Sequence, residues 1–232
     1  MATHYKHIFF DLDHTIWDFN TNCRLTLDEL YEKHGFAKHG FSRDGFYTVY
    51  KDINDNMWDS YHKGKLTKDD IRSKRFEYTF AQLNIDKSHI PAGLDNEFLA
   101  ICPAKGQVFP YTHESLEYLA NKDYILHIIT NGFKETQYVK LSTSGLSKYF
   151  TNVIESDVCG YMKPDKRIFD YALSLSRTSA KEAIMIGDDL YADIIGAREA
   201  GFDQIFINRH HFQHTEIITH EIDCLSKLKG IL

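Results

Sequence analysis

Hydrophobic and polar positions follow two different patterns along this chain. Runs of consecutive apolar and β-branched residues that stop at polar residues are typical of strands buried in a parallel sheet. Five such runs lie at Tyr5–Leu12, Tyr124–Ile129, Asn152–Glu155, Ala183–Ile186 and Gln204–Ile207. The helical pattern, with apolar residues three and four positions apart, lies at Glu114–Asn121, Thr136–Ser142, Lys166–Leu175 and Asp193–Ala200. Strands that alternate with helices predict an α/β fold, a doubly wound parallel sheet with helices on both faces.

The stretch from about Thr21 to about Leu99 interrupts this alternation. It is helix-patterned, charged and rich in Tyr, Phe and Lys, and it lacks a convincing buried strand. Pro91-Ala92-Gly93 indicates a turn within it, and Pro103 to Pro110 is expected to return the chain to the sheet. We therefore predict an α/β core formed by residues 1–18 and 103–232, with an inserted helical domain at 19–102.

Composition narrows the class of protein. A chain of 232 residues with 43% apolar residues can bury a sizeable core. Its formal net charge of -6 argues against binding a nucleic acid polymer, so a small-molecule partner is expected. No apolar run approaches the roughly 20 residues of a membrane span, and Met1 to Lys6 leads into a strand without a secretory leader. We expect a cytoplasmic protein, a monomer or dimer, with no membrane contact.

Four short motifs stand at the ends of predicted strands or in the loops that follow them. They are Asp11-Leu12-Asp13-His14-Thr15, Thr130-Asn131-Gly132, Lys163-Pro164, and Gly187-Asp188-Asp189 with Asp193 beyond it. The carboxyl ends of parallel strands meet at one edge of an open α/β sheet, where ligands bind. We therefore predict that the four motifs form one site for phosphoryl transfer.

The first motif supplies two carboxylates with different predicted roles. Asp11, at the tip of the first strand, is the predicted nucleophile, which would form an aspartyl-phosphate. Asp13 points to the same side of an extended segment. We expect Asp13 to protonate the leaving oxygen and then to deprotonate the hydrolytic water. Thr15 is expected to stabilise the loop by hydrogen bonding.

The other motifs supply phosphate and metal contacts. Thr130-Asn131-Gly132 offers a hydroxyl and backbone N–H groups to the phosphoryl oxygens. Lys163 would offset the repulsion between the nucleophile and the phosphate. Mg²⁺ prefers oxygen ligands in octahedral geometry, and its predicted ligands are Asp11, Asp188 and the main-chain carbonyl of Asp13.

Two further aspartates are assigned to a supporting position around the metal. Asp189 and Asp193 would orient water and Lys163. Asp193 also stands near the predicted start of a helix, so a helix N-cap is an equally good interpretation of it.

Cysteines and histidines add no second metal site to this prediction. The four cysteines, Cys23, Cys102, Cys159 and Cys224, are widely separated and form no CxxC pair. His210, His211, His214 and His220 are placed in a polar connection after the strand that ends at Asn208. The predicted Mg²⁺ is a hard cation that is bound by oxygen ligands, so it needs neither these histidines nor these cysteines.

The four motifs in this order closely resemble those of the haloacid dehalogenase-like hydrolase superfamily. The resemblance covers nearly the whole chain and implies a Rossmann-like core. It implies the nucleophile and acid/base roles for Asp11 and Asp13, phosphoryl contacts for Thr130 and Lys163, and Mg²⁺ binding by Asp188. The long insert after the first strand resembles the helical cap of one subfamily. The dehalogenases lack the second aspartate, so Asp13 favours a phosphatase.

A closer resemblance is to the pyrimidine 5'-nucleotidases of this superfamily. It lies in Asn54-xxx-Trp58-xx-Tyr61-xx-Gly64, Arg75-Phe76, Thr130-Asn131-Gly132-Phe133 and Asn208-Arg209-His210-His211. The resemblance implies that Trp58 stacks on a base and that Asn54 and Arg75 make polar substrate contacts. Aromatic residues on an amphipathic helix are also typical of core positions.

Three alternatives stay open at this point. The substrate could be another small phosphorylated metabolite, such as phosphoglycolate or a sugar phosphate. The enzyme could be a phosphomutase, which returns the phosphoryl group to its substrate. A phospho-accepting signalling domain also pairs an aspartate with acidic Mg²⁺ ligands and a lysine, but it needs neither Asp13 nor the large insert.

Overall fold

The computed structural model describes residues 5–232. Residues 1–4 lie outside the described residues. The start of the predicted core domain and the expectation of no secretory leader both fall on them. The chain divides into two compact units, one formed by Met1–Phe19 with Gly106–Leu232 and the other by Asn20–Lys105. We call them the α/β unit and the helical unit. The sequence pattern predicts nearly the same boundaries, after residues 18 and 102.

The α/β unit is built on a parallel sheet, which confirms the predicted Rossmann-like α/β fold. Within residues 5–232 the sheet has six strands in the order β3-β2-β1-β4-β5-β6, and every neighbouring pair is parallel. The strands are β1 (His7–Phe10), β2 (Ile125–Thr130), β3 (Phe150–Glu155), β4 (Ala183–Gly187), β5 (Asp203–Ile207) and β6 (His220–Ile222).

Strand β6 is missing from the prediction, which placed His220 in a polar connection. Only three residues long, β6 pairs with Ile205, Phe206 and Ile207 of β5. Its residues His220 and Glu221 are polar, so the apolar run that signals a buried strand is absent. The assignment of His220 to a loop was therefore wrong, because an edge strand can form by backbone pairing alone.

Helices lie in both units, and in the α/β unit they overlap the four predicted helical segments. In the helical unit and its entry they are α1 (Phe19–Lys33), α2 (Arg43–His62), α3 (Lys68–Gln82) and α4 (Leu94–Ile101). In the α/β unit they are α5 (Thr112–Asn121), α6 (Lys134–Thr143), α7 (Ser156–Cys159), α8 (Lys166–Ser176) and α9 (Gly196–Glu199). A π-helix at Leu190–Ile195 runs directly into α9. Among the described residues, no helix is long and apolar enough to cross a membrane.

The core of the α/β unit fixes where its strands end. Phe10 pairs with Ile128 on one side and with Ile186 on the other. One residue earlier in β1 and β4, Phe9 and Met185 belong to a fully buried cluster that includes Phe169 of α8. Because the register of parallel strands is set by such buried side chains, β1, β2 and β4 deliver their following residues to one edge of the sheet.

The helical unit has its own aromatic core. Rings of Phe36, Phe46, Phe76 and Phe80 contact one another and are all buried. Helix α3 begins with a capping box, in which Thr67 and Asp70 exchange side-chain to backbone hydrogen bonds. This unit therefore has apolar packing and helix caps independent of the sheet.

A pair of buried histidines lies on neighbouring strands of the sheet. Asn152 Nδ2 donates to His127 Nδ1 at 3.1 Å, so the ring proton of neutral His127 is on Nε2. That nitrogen donates to His7 Nδ1 at 3.0 Å. Burial, with a smaller contribution from His7, lowers the pKa of His127 to about 4.

This arrangement predicts a specific loss of stability in acid. In the unfolded chain His127 has its ordinary pKa of 6.5, so the unfolded state binds more protons below that pH. The free energy of unfolding should fall as the pH drops from about 6.5 to about 4, by up to about 3 kcal/mol. His127→Gln should flatten this slope in urea unfolding measured at each pH. The exposed His210, changed to Gln, is the control and should leave the slope unchanged; equal slopes in wild type and His127→Gln would contradict the prediction.

Candidate active site

The turn after β1 carries the first predicted site residue. Asp11 continues the strand pairing, since its N–H donates to the Ile186 carbonyl at 2.9 Å. Two residues beyond Leu12, His14 has φ 63°, in the left-handed region, and the chain leaves the sheet there. Arg209 donates to the carbonyls of His14 and Thr15 at 2.6 and 2.7 Å. This arginine stabilises the turn.

A buried lysine connects two of the predicted aspartates. Lys163 Nζ lies 2.6 Å from Asp11 Oδ1 and 2.6 Å from Asp193 Oδ1, and its residue is only 2% exposed. Burial alone would lower the pKa of Lys163, but the charges and hydrogen bonds of the two aspartates raise it above its ordinary value. Lys163 is therefore a fixed positive charge beside Asp11.

The backbone of Lys163 is held by the second motif. Asn131 Nδ2 donates to the Lys163 carbonyl, and the Lys163 N–H donates to Asn131 Oδ1, both at 2.9 Å. The Lys163-Pro164 peptide bond is cis. Asn131, predicted as a phosphate contact, thus positions the neighbouring lysine in this structure.

Asp193 reaches Lys163 from the π-helix. Asp189 caps this helix by accepting hydrogen bonds from Tyr191 N and Ala192 N at 2.8 Å. The interpretation of Asp193 as an N-cap was therefore wrong, because Asp189 does the capping. Asp193 Oδ2 accepts from Asp189 N at 3.1 Å, so each carboxylate oxygen of Asp193 has a donor. π-Helical turns often mark functional sites.

Three carboxylates gather at this edge of the sheet. One oxygen each of Asp11, Asp188 and Asp193 lies within 4.8 Å of the others. Thr15 Oγ1 donates to Asp188 Oδ1 at 2.8 Å, as expected of a residue that stabilises the loop. Burial, followed by the negative charge of Asp11, raises the pKa of Asp188 to about 8. Such a donor set fits a hard divalent cation, because close carboxylates repel one another until a positive charge joins them.

Of these three, Asp11 and Asp188 are the better candidates for metal ligands. Both oxygens of Asp193 already accept hydrogen bonds from the protein, one from Lys163 and one from the Asp189 N–H. A contribution from the main-chain carbonyl of Asp13 stays a prediction.

The Asp13 side chain faces a residue that the sequence analysis missed. Lys140 Nζ lies 2.8 Å from Asp13 Oδ1 and 2.6 Å from Asp13 Oδ2. The same ammonium stands 4.8 Å from the centre of the Trp17 ring. Lys140 belongs to α6 and follows none of the four motifs closely, so no sequence signal marked it.

Thr130 and Gly132 form a closed turn at the end of β2. Gly132 N donates to Thr130 Oγ1 at 3.0 Å, and Thr130 Oγ1 lies 3.3 Å from Gln137 Oε1. A Cβ on Gly132 would come within 2.3 Å of Gln137 Nε2, so glycine fits this approach best. The turn holds the threonine hydroxyl at the sheet edge, where the phosphoryl contact is predicted.

The three residues predicted to contact substrate lie in the helical unit. Asn54 and Trp58 are one turn apart on α2, and Arg75 is on α3. Arg75 is 1% exposed and donates from Nη1 to Asn54 Oδ1 at 3.2 Å, with its guanidinium 4.7 Å from the centre of the Phe98 ring. Trp58 is partly exposed. Their contact with a substrate stays a prediction.

Close packing at Gly187 gives a test of the site's geometry. A Cβ at Gly187 would lie 2.2 Å from Asp193 Oδ2, and the carboxylate is held by Lys163 and so cannot move cheaply. Gly187→Ala should lower the free energy of unfolding by about 1–3 kcal/mol, the usual cost of overpacking. Gly230→Ala is the matched control, since its Cβ would meet nothing within 4 Å. Equal stability of the two variants in urea unfolding would contradict the packing argument.

Known proteins are similar to this chain over most of its length. The family model described as haloacid dehalogenase-like hydrolase matches residues 5–201. The chain is 32% identical to pyrimidine 5'-nucleotidase PynA of Streptococcus pneumoniae, over 96% of each chain. It is 31% identical to pyrimidine 5'-nucleotidase YjjG of Escherichia coli, over 97% of this chain and 96% of the relative. A crystal structure of the HAD-hydrolase YfnB of Bacillus subtilis bound to magnesium matches with a TM-score of 0.87 and 30% identity, over 98% of each chain. The chain therefore belongs to the haloacid dehalogenase-like hydrolases.

Proposed function

We propose that this protein is a Mg²⁺-dependent phosphomonoesterase that acts on pyrimidine or non-canonical nucleoside monophosphates, including deoxynucleotides. The observation that carries the chemistry is the position of Asp11 beside a buried lysine, with Asp13 two residues further on. Similarity to two pyrimidine 5'-nucleotidases supports the choice of substrate. A net charge of -6 suits a small soluble substrate better than a nucleic acid polymer. A cytoplasmic location belongs to the same proposal, and a monomeric or dimeric state stays a prediction.

In the first step, an Asp11 carboxylate oxygen attacks the phosphorus of the substrate. A bond from Asp11 to phosphorus forms, and the bond from phosphorus to the ester oxygen breaks. Asp13 donates its proton to that leaving oxygen, so the nucleoside departs as a neutral alcohol. Lys163 offsets the repulsion between the nucleophile and the phosphate oxygens. The Thr130 hydroxyl and the Gly132 N–H would exchange their present acceptors, Gln137 Oε1 and Thr130 Oγ1, for those oxygens.

In the second step, water attacks the aspartyl-phosphate. Asp13, now a carboxylate, accepts a proton from the water, and the bond between Asp11 and phosphorus breaks. The products are inorganic phosphate and the original Asp11 carboxylate. Asp193 has no contact with substrate in this scheme, because its role is to orient Lys163.

Asp11, Asp188 and the Asp13 main-chain carbonyl would hold the Mg²⁺. A bound Mg²⁺ supplies positive charge that stabilises the phosphoryl oxygens during transfer. Thr15 keeps Asp188 oriented toward the other carboxylates through its 2.8 Å hydrogen bond. Asp189 supports the same loop by capping the π-helix.

Substrate selection is assigned to the helical unit. Trp58 is the first candidate for stacking on the base, since it is partly exposed while Asn54 and Arg75 are buried. Arg75 contributes through Asn54, to which it donates a hydrogen bond. Stacking of a base on an aromatic ring typically contributes about 1–3 kcal/mol.

Phosphate release from a substrate panel tests this function. The panel contains pyrimidine and purine nucleoside monophosphates, deoxynucleotides, a sugar phosphate, phosphoglycolate and an aryl phosphate, each with Mg²⁺ and with EDTA. We expect Mg²⁺-dependent release that is fastest from pyrimidine nucleotides. Asp11→Asn should abolish turnover with the fold intact, whereas Asp170→Asn, in a surface ion pair with Lys166, is the control and should keep full activity.

Other outcomes of the panel would redirect the proposal. Release led by the sugar phosphate or phosphoglycolate would keep the chemistry and overturn the nucleotide assignment. An isomerised product without free phosphate would indicate a phosphomutase. A stable phosphoprotein with no turnover would indicate a signalling domain. If the Trp58 ring stacks on the base, Trp58→Ala should raise KM for nucleotides and leave KM for the aryl phosphate unchanged.

Metal binding should depend on pH through Asp188. Its pKa of about 8 without metal means that a proton occupies this carboxylate at pH 6, and the cation must displace that proton. The Mg²⁺ dissociation constant should therefore fall by about tenfold for each pH unit from 6 to 8 and level off above pH 8. Isothermal titration calorimetry measures this dependence and the proton released. Asp188→Asn should remove it, and an affinity independent of pH would contradict the assignment.

A further inference from the structure

We propose that Lys140 is the positioning residue for the proton donor Asp13, and this inference rests on the function proposed above. Lys140 lies outside the four motifs, and its ammonium contacts Asp13 and the Trp17 ring. Its role is to set the direction of the Asp13 carboxyl group, without contacting the reacting atoms itself.

The contact between the two side chains is short and two-sided. Lys140 Nζ lies 2.6 and 2.8 Å from the two oxygens of Asp13. In the ionised form of Asp13 the ammonium meets both oxygens, and in the protonated form one oxygen keeps the lysine while the other carries the proton. The contact thus restricts rotation of the carboxyl group and fixes which oxygen can donate. The lysine side chain is 7% exposed and the aspartate side chain 23% exposed, so water competes weakly for this contact.

The lysine itself is held on a second side. Its ammonium stands 4.8 Å from the centre of the Trp17 ring, in the range of a cation–π interaction. Trp17 is fully buried, and its backbone N–H donates to the Leu12 carbonyl at 2.9 Å within the turn after β1. The Trp17 ring and the Asp13 carboxylate therefore fix the position of Lys140 together. Both residues belong to the turn that follows the nucleophile Asp11.

Helix α6 explains why the lysine reaches this place. Gln137 and Lys140 are three residues apart, so they lie on the same face of α6. Gln137 contacts the Thr130 hydroxyl at 3.3 Å, and Lys140 contacts Asp13 one turn later. One face of α6 thus supports two residues of the predicted catalytic set.

Burial of the lysine argues for a specific function over a surface ion pair. The lysine–aspartate pair Lys166–Asp170 within α8 has both side chains about half exposed, and such surface pairs contribute little to stability. Lys140, in contrast, pairs with a residue 127 positions away in sequence. Burying the Lys140 ammonium costs desolvation free energy. The chain nevertheless places this ammonium beside Asp13, the predicted acid.

The test separates positioning of an acid from general support of the fold. Departure of a nucleoside alkoxide needs a proton from Asp13, whereas nitrophenolate leaves without one. kcat/KM reports the step that forms the aspartyl-phosphate and omits its later hydrolysis. Lys140→Met should lower kcat/KM for a nucleoside monophosphate by at least about tenfold, and for p-nitrophenyl phosphate by less than about threefold. Lys140→Arg should recover most of the loss, since it keeps the charge and two-sided donation.

Two controls complete the design. Lys166→Met removes the exposed lysine of α8 and should change the rate on neither substrate. Asp13→Asn with Lys140→Met should be no slower on the nucleotide than Asp13→Asn alone, because the lysine acts through the aspartate. If Lys140→Met fails to fold by circular dichroism, Lys140→Gln and Lys140→Arg carry the same comparison.

Each result decides the inference. Equal losses on both substrates would overturn it and leave Lys140 with a structural role, and no loss on either substrate would also overturn it. If the wild type releases phosphate from a sugar phosphate and from no nucleotide, the substrate proposal fails, but the sugar phosphate has the same kind of leaving group and replaces the nucleotide in the comparison. If the wild type hydrolyses nothing in the panel, the proposed function and this inference fail together.

Discussion

The buried ion pairs of Lys163 are the interaction on which the predicted site depends. An ammonium that is 2% exposed must have partners, and Asp11 and Asp193 each supply one at 2.6 Å. Removing one carboxylate would still leave Lys163 an acidic partner, but removing the lysine would leave two close carboxylates without a compensating charge, which usually costs about 3–5 kcal/mol. The lysine thereby ties the turn after β1 to the π-helix after β4, and Asn131 ties its backbone to the turn after β2.

This dependence explains several local features that would otherwise be unfavourable. Gly187 leaves room for the Asp193 carboxylate, which a single methyl group would displace. The π-helix is a rare element, but it places Asp193 beside Lys163 while Asp189 caps its first turn. His14 is held with a positive φ while Arg209 binds its carbonyl. The positive φ of His14 and the close packing at Gly187 therefore lie beside the charged cluster.

Five strands of the sheet and the motif residues of the candidate site could be predicted from the sequence. The features that could not be predicted have physical reasons. The buried strands were predicted because short apolar runs such as Ala183–Ile186, bounded by polar residues, are typical of strands covered on both faces. The motif residues followed from where parallel strands end. Strand β6 was missed because its pairing uses backbone groups and leaves no apolar signature. Lys140 was missed because its partner lies 127 residues away in sequence, and no local pattern encodes such a distance. The N-cap alternative for Asp193 was wrong because the π-helix begins three residues earlier than the predicted helix, which makes Asp189 the cap.

The charges around the sheet edge also indicate why the proposed enzyme needs a cation. Asp11, Asp13, Asp188 and Asp193 are four carboxylates, and the lysines that contact them are Lys163 and Lys140. Arg209 adds a third positive charge, but its guanidinium is committed to the carbonyls of His14 and Thr15. With all four carboxylates ionised, a phosphate dianion entering this edge would meet excess negative charge, and at about 4 Å the repulsion within each like-charge pair is about 4 kcal/mol at an effective dielectric of about 20. Lys163 is shared between two aspartates and Lys140 is occupied by Asp13, so neither can balance the incoming phosphate alone. Asp11 and Asp188 would hold a divalent cation, whose positive charge would offset the repulsion between these carboxylates and the phosphate.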